Sequence, residues 1–460
     1  MNFKLGKNTK IPLYILILGM LVYTLIILTS TDIFETRDIF FGTTAKLMID
    51  GNDISFNEYS ITDNRQGSII EGIVLIPFFL LFGDHGILLK FVNLPILLLF
   101  FILVYYFMNT NFGYKSAVIS LLLFIFAPVT FLRWSLVVNT HVFHSTIYLL
   151  AIFIIFQKLI FNREIPHFML FGFISGLFIT LNYVSLIGVM SCFFVLIIKR
   201  RRLFNLKNLS LFLILFLLGI SPLIHFELTS HRITRYVNRW FIEDTSFEVS
   251  NYFISALIKV KKILFENFLN SFQFGYFSEF NYIYYILSII ALIYLLKNNL
   301  SKFKVASTLI LTSFVLHILF FILSNFPLFY SGPLDQIHDI NYFMPLILFS
   351  LLSIAVLISR MKNKLFILFI FIFISMGVTN IVSLVSFEKI DYDQFYAPYC
   401  YQDYGINLRY RFEVFFPDTS GRYVPEKICN KLNKEIKDDC IRGTNVEIIP
   451  IIGINRCNYD

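Results

Sequence analysis

Charge is scarce in this sequence. Only 15% of its 460 residues are Asp, Glu, Lys or Arg, against roughly 25% in a soluble domain. That deficit excludes an ordinary soluble globule. The net charge of +8 is gathered in short clusters between apolar runs, a pattern that reports membrane topology and excludes nucleic acid as a partner. No small-residue cleavage site follows the first apolar run, Ile11 to Leu28, so it reads as a retained helix. Cysteine is nearly absent from the apolar part. Cys192 alone lies there, while Cys400, Cys429, Cys440 and Cys457 share the polar C-terminal segment. An even number confined to one short polar region reads as a disulfide framework in an oxidising compartment. Three pairings remain open.

What is abundant is oil: 57% of residues are hydrophobic and 18% aromatic. Apolar runs of about 20 residues recur, the length that crosses a bilayer. The fold class expected is an all-α integral membrane protein. Its spans fall at about 11–28, 89–108, 116–132, 141–157, 167–181, 183–198, 209–226, 281–296, 305–323, 341–359 and 365–385, which makes about 11 transmembrane helices. The pair 167–181 and 183–198 is parted only by Asn182-Tyr183.

The run Ile69 to Phe82 is short and interrupted by Glu71. If it crossed, the clusters Lys158 with Arg163, Lys199 to Arg202, Lys297 to Lys304 and Arg360 to Lys364 would all lie outside, against the positive-inside rule. It therefore reads as an interfacial helix. The chain then has an N-terminus in the cytoplasm of a bacterium and outer segments 30–88, 227–280 and 324–340. A membrane domain 1–385 is followed by a small extracytoplasmic cysteine-containing domain, 386–460. Few ionisable residues lie within the spans, chiefly Lys90, His225 and His317. Polar chemistry is thus concentrated at one face, not along a path through the membrane.

The first outer loop holds Asp32, Glu35, Arg37, Asp38, Asp50, Asp53, Glu58, Asp63, Arg65 and Glu71. The segment Arg37 to Gly51 has helical apolar spacing and ends in a glycine suited to a C-cap. Beyond Pro222, Arg232, Arg235 and Arg239 follow a 3–4 spacing that places them on one helical face, beside His231. Carboxylates can deprotonate an acceptor hydroxyl, and arginines can take up a departing phosphate through bidentate contacts. Each group also has a plainer use. Asp38 suits a helix cap or solvent. The arginine row suits anionic headgroups, and Arg133 with Trp134 suits an interfacial anchor. His141 and His144 lack a carboxylate close in sequence and read as structural. No metal site or cofactor is indicated, and a divalent metal stays open.

These segments resemble a known group. The helix ending in Gly51, the run Gly67 to Gly83 closing in Leu-Phe-Gly, and Phe112-Gly113 are similar to membrane glycosyltransferases of the GT-C fold. The nearest likeness is to the aminoarabinose transferase and protein O-mannosyltransferase group. Ala127-Pro128 with Arg133, Phe171-Gly172 to Asn182-Tyr183, and Asn341-Tyr342-Phe343-Met344-Pro345 resemble further motifs of that group. The resemblance covers roughly residues 1–230 well and 320–360 loosely. It implies transfer of a sugar from a polyprenyl-phosphate-linked donor to an envelope glycan, lipid or protein acceptor. It places the base at Asp38, with Glu35 or Asp32 as alternatives if the register shifts. Arg37, Arg65, Arg133, Arg232, Arg235 and Arg239 would meet the donor. The sequence departs from the group in having Arg37-Asp38 where an acidic pair is usual. Other readings are a transporter or flippase of a lipid-linked substrate, or a catalytically inactive scaffold of the same fold. No internal repeat favours the transporter. Alkylation of the denatured, unreduced protein is expected to label Cys192 alone; labelling of all five cysteines would refute the disulfide framework.

Overall fold

The computed structural model describes residues 10–29, 45, 48–49, 51, 68–83, 88–136, 143–162, 165–199, 206–230, 259–272, 282–298, 304–323 and 343–385. All are helices or short turns. In chain order the helices are α1 Lys10–Thr29, α2 Ser68–Phe82, α3 Leu88–Phe91, α4 Asn93–Phe112, α5 Tyr114–Ile125, α6 Val129–Ser135 and α7 Phe143–Asn162. They continue with α8 Ile165–Leu181, α9 Val184–Lys199, α10 Leu206–Ser230, α11 Tyr282–Asn298, α12 Lys304–Leu323, α13 Met344–Ser359 and α14 Asn363–Val385. A π-helical stretch, Lys262–Asn267, precedes α11.

Six of these helices are long and apolar enough to cross a membrane, and seven if α5 and α6 form one bent span. Four expected spans, α8, α9, α11 and α13, are apolar but only 16 or 17 residues long, about 25 Å at 1.5 Å per residue. The expected span 116–132 is not continuous: it bends by 82° between Ile125 and Val129. The α8–α9 break is real. Asn182 caps α9 by accepting the Val184 N–H at 2.8 Å, the side-chain-to-backbone bond that favours Asn at a helix start.

By compactness the chain divides into two units. The first comprises Met1–Tyr23, Leu97–Trp134 and His141–Leu384. Its centre is α13, of which every residue from Met344 to Val356 is buried; α5, α7, α11 and α12 pack on it. Proline at its first turn costs no hydrogen bond, which fits Pro345. Peripheral helices turn leucines and phenylalanines outward, such as Leu217 and Leu218 on α10 and Leu368 and Phe371 on α14, as lipid-facing surfaces do.

The closest helix pair in this unit is α8 with α10. A methyl at Gly172 would strike the Phe212 carbonyl, and one at Gly176 the Phe216 carbonyl, with the Ile220 nitrogen at 2.8 Å. Gly219 sits equally close to Phe173 of the opposite helix. Small residues four apart let backbones touch, which is how helices associate where lipid removes the hydrophobic drive. Thr180 extends the seam, its hydroxyl 3.1 Å from the Gly219 carbonyl.

The second unit comprises Thr24–Ile96, Ser135–Thr140 and Val385–Asp460. Its described helices are the end of α1, α2, α3 and the start of α4. Gly83 ends α2 at φ +84, and its N–H donates to the Phe79 carbonyl at 2.9 Å. Glycine is the residue that tolerates this left-handed cap. Gly51 does the same at φ +77, bonding to Met48 at 3.2 Å, so the expected cap is present. The four tail cysteines lie outside the described residues; Cys192 is a buried free thiol. Gly176→Ala is expected to lower stability by about 1–3 kcal/mol through overpacking. Gly188→Ala, whose methyl meets only the flexible end of Leu149, is expected to cost clearly less; thermal unfolding in detergent compares the two.

Candidate functional site

The bend between α5 and α6 follows from Pro128. In a continuous helix the Phe124 carbonyl would accept from the N–H four residues on, but proline has none. The residue before proline is also pushed out of the helical region. The helix therefore stops at Phe126, whose N–H closes the last bond to Leu122 at 3.0 Å. It restarts with Leu132 bonding back to Pro128 at 3.1 Å. The break leaves carbonyls without helical donors, which a membrane interior does not tolerate.

Three side chains from three other helices fill the gap. The Tyr23 hydroxyl of α1 donates to the Phe124 carbonyl at 3.2 Å. Tyr284 of α11 donates to Phe126 at 2.9 Å, and Asn380 Nδ2 of α14 donates to Ala127 at 3.2 Å. All three donors are buried. Gly377, one turn before Asn380, lets α14 lie directly on Phe126; an added Cβ would come within 2.7 Å of the Phe126 Cα. Around the bend, Phe100, Phe124, Phe131 and Phe143 form an aromatic cluster with centroids 5.0–5.7 Å apart.

The short helix beyond the bend carries Arg133, which is half-buried. Trp134 beside it is 1% exposed, so it is a core residue and not the interfacial anchor expected from sequence. Tyr284 of α11 is likewise wholly buried. Both placements have one cause: a bend needs internal filling and internal donors that a straight span does not. His144 is buried between Phe143 and Tyr148, and His317 is fixed by its Nδ1 against the Ser313 carbonyl at 2.7 Å. Among the described residues no group of His, Cys, Asp and Glu is placed to hold a metal.

In the second unit, two polar residues stand at the head of α4. Lys90 on α3 is 1% exposed. Asn93 is fully buried, and its Nδ2 donates to the Leu136 carbonyl at 2.9 Å. Its Oδ1 has no hydrogen-bond partner among the described residues. Sequence reading named Lys90 among the few ionisable residues within the spans but gave no role to it or to Asn93. The signal available was its position inside the apolar run and three residues ahead of an asparagine, which puts both on one helical face.

Of the candidate site residues, Arg133 alone is described. Asp32, Glu35, Asp38, Arg37, Arg65, Arg232, Arg235 and Arg239 lie outside the described residues.

No family model matches the sequence, and no curated protein matches it. Solved structures do match in shape. The crystal structure of ArnT from Cupriavidus metallidurans bound to undecaprenyl phosphate superposes with a TM-score of 0.51 at 12% identity, over 94% of this chain and 74% of that one. The apo form of the same protein gives 0.50 at 10% identity, with the same coverage. The archaeal oligosaccharyltransferase AglB from Archaeoglobus fulgidus, in complex with an inhibitory peptide and a dolichol-phosphate, gives 0.49 at 13% identity, over 92% and 59%. All the described residues are helices or short turns, and the chain has a GT-C-like fold resembling that of ArnT over most of its length.

Tyr284→Phe is expected to cost about 1 kcal/mol, the typical worth of one intramembrane hydrogen bond plus the stranded carbonyl. Adding Asn380→Leu should cost more than the two single losses combined, because each remaining donor holds the bend for the other. Unfolding midpoints of the singles and the double read this.

Proposed function

We propose that the protein is a membrane glycosyltransferase that moves a sugar from a polyprenyl-phosphate-linked donor to an envelope glycan, lipid or protein acceptor. The reaction belongs to the non-cytoplasmic face. The observation that carries this reading is the likeness to ArnT over 94% of the chain, a protein whose structure was solved with undecaprenyl phosphate bound. The carboxylates and arginines of the first loop support it from the sequence side.

In this reaction the acceptor hydroxyl attacks the anomeric carbon of the donor sugar. Asp38 takes the hydroxyl proton as the new carbon–oxygen bond forms. The bond from that carbon to the phosphate oxygen breaks, and polyprenyl phosphate leaves with the electron pair. Arg37, Arg65, Arg133 and the row Arg232, Arg235, Arg239 suit that leaving charge, since a guanidinium fork matches phosphate oxygens. Electrostatic stabilisation of this kind is worth most away from bulk water. The lipid tail of the donor would lie in the bilayer. The lipid-like flank of α2, where Leu80, Leu81 and Phe82 are exposed, is suited to it.

The test is release of polyprenyl phosphate, in membranes containing the protein, from a polyprenyl-phosphate sugar. Asp38→Asn is expected to lower turnover about 10²–10⁴-fold, the usual worth of a general base, while the protein still inserts and folds. Wild-type activity in that variant, with loss on Glu35→Gln or Asp32→Asn, would move the base. Inert wild-type membranes, supplied with a range of such donors, would sink the transferase reading.

A further inference from the structure

The proposed reaction leaves one row of cations in the larger unit unused. The turn between α13 and α14, Arg360-Met361-Lys362-Asn363-Lys364, is described throughout, and its three cations are exposed. A fourth exposed cation, Lys115 at the start of α5, joins them from a distant part of the chain. The Ser116 hydroxyl donates to the Ser359 hydroxyl at 2.8 Å, which sets the first turn of α5 beside the last turn of α13. The Lys115 ammonium lies 4.1 Å from the centre of the Phe366 ring, held by the negative face of the aromatic system. Phe366 stands one turn below Lys362, its N–H donating to the Lys362 carbonyl at 2.9 Å. Three helix ends are thus tied together, with four positive charges upon them.

This turn and the first turns of α5 and α14 contain no Asp or Glu. Like charges gathered in this way repel one another and favour an anion from outside the chain. Water and salt alone could solvate such a row; what selects a lipid is the surface beneath it. Leu365, Ile367, Leu368 and Phe371 of α14 are 50–69% exposed, as a helix flank facing hydrocarbon is. Lys364, Leu368 and Phe371 follow a 4–3 spacing and so share one helical face. A charged head above an apolar flank matches the two ends of a phospholipid, whereas a free phosphate would make no use of the flank. α5 is 12 residues long, about 18 Å, so the row stands well away from the bend and from Arg133.

We propose that Lys115, Arg360, Lys362 and Lys364 form a binding surface for the phosphate headgroup of an anionic phospholipid, whose acyl chain lies along Leu368 and Phe371. The headgroup bridges α5, α13 and α14. It thereby braces α14, the helix that brings Gly377 and Asn380 to the bend. The attraction is electrostatic and short in range, fading within a Debye length of the membrane surface.

The experiment places the full-length protein in vesicles of phosphatidylcholine alone, or of equimolar phosphatidylcholine and phosphatidylglycerol, and reads the thermal unfolding midpoint. The anionic lipid is expected to raise the midpoint, as a ligand of the folded state does. Lys362→Gln combined with Lys364→Gln is expected to remove most of that rise, and Lys115→Gln to reduce it. Phosphatidylglycerol retained through detergent extraction, counted by mass spectrometry, is expected to fall about fivefold for each lysine removed. Lys207→Gln is the control: it removes an exposed lysine at the head of α10, outside the row, and should keep the full rise. A full rise in the Lys362 and Lys364 double variant overturns the proposal. An equal loss in Lys207→Gln also overturns it, since diffuse surface charge would then suffice. So does a rise reproduced in phosphatidylcholine by dissolved glycerol phosphate, which would make the row a site for a free phosphate. Should the double variant fail to accumulate, Lys364→Gln alone reads the same difference. None of these readings needs turnover, so they stand or fall apart from the transferase reading.

Discussion

A carbonyl that loses its helical donor inside a bilayer must find another, and the architecture of the larger unit is arranged around that need. Pro128 takes one donor away by its chemistry, and the 82° turn takes two more by geometry. Three helices are spent on replacing them. Tyr23, Tyr284 and Asn380 each point a donor at a separate carbonyl, and Gly377 removes its own side chain so that α14 can come close enough. The phenylalanine cluster then fills the volume that the turn opens. What results is a short helix, carrying Arg133, held at a fixed angle by packing on every side.

The glycine seam between α8 and α10 solves a different problem by the same economy. There the backbones themselves touch, and the hydroxyl of Thr180 reaches across to the facing chain. The helix that α5, α7, α11 and α12 pack on, α13, is buried on nearly all sides. α13 can be short in such an assembly because it is buried along nearly its whole length. It need not reach the length a lone span requires.

Much of the fold was legible in the sequence. Apolar length marked nearly every helix, Asn182 marked the turn between α8 and α9, and Gly51 and Gly83 marked two helix ends by the one backbone conformation that favours glycine. The bend was half legible. Ala127-Pro128 was read as a motif, but hydropathy carried the span straight through it, since proline inside an apolar run does not say which way the chain leaves. The donors were illegible. A tyrosine in an apolar segment looks the same whether it faces headgroups or a stranded carbonyl 158 residues away. The burial of Lys90 was illegible for the same reason: periodicity gives the face of a helix, but what covers that face is a tertiary fact. The acidic and arginine-rich loops were the clearest part of the sequence chemically, and Arg133 alone of their set lies on a described helix.

The donors to the bend have a further consequence for how the protein is made. They lie 101, 158 and 253 residues from their acceptors. The α5–α6 segment enters the bilayer when only Tyr23 has been synthesised, and its last carbonyl is not answered until α14 emerges. During most of translation the broken span must stay shielded by water, insertion machinery or a straighter conformer. The turn is therefore fully answered by its donors only late in biogenesis.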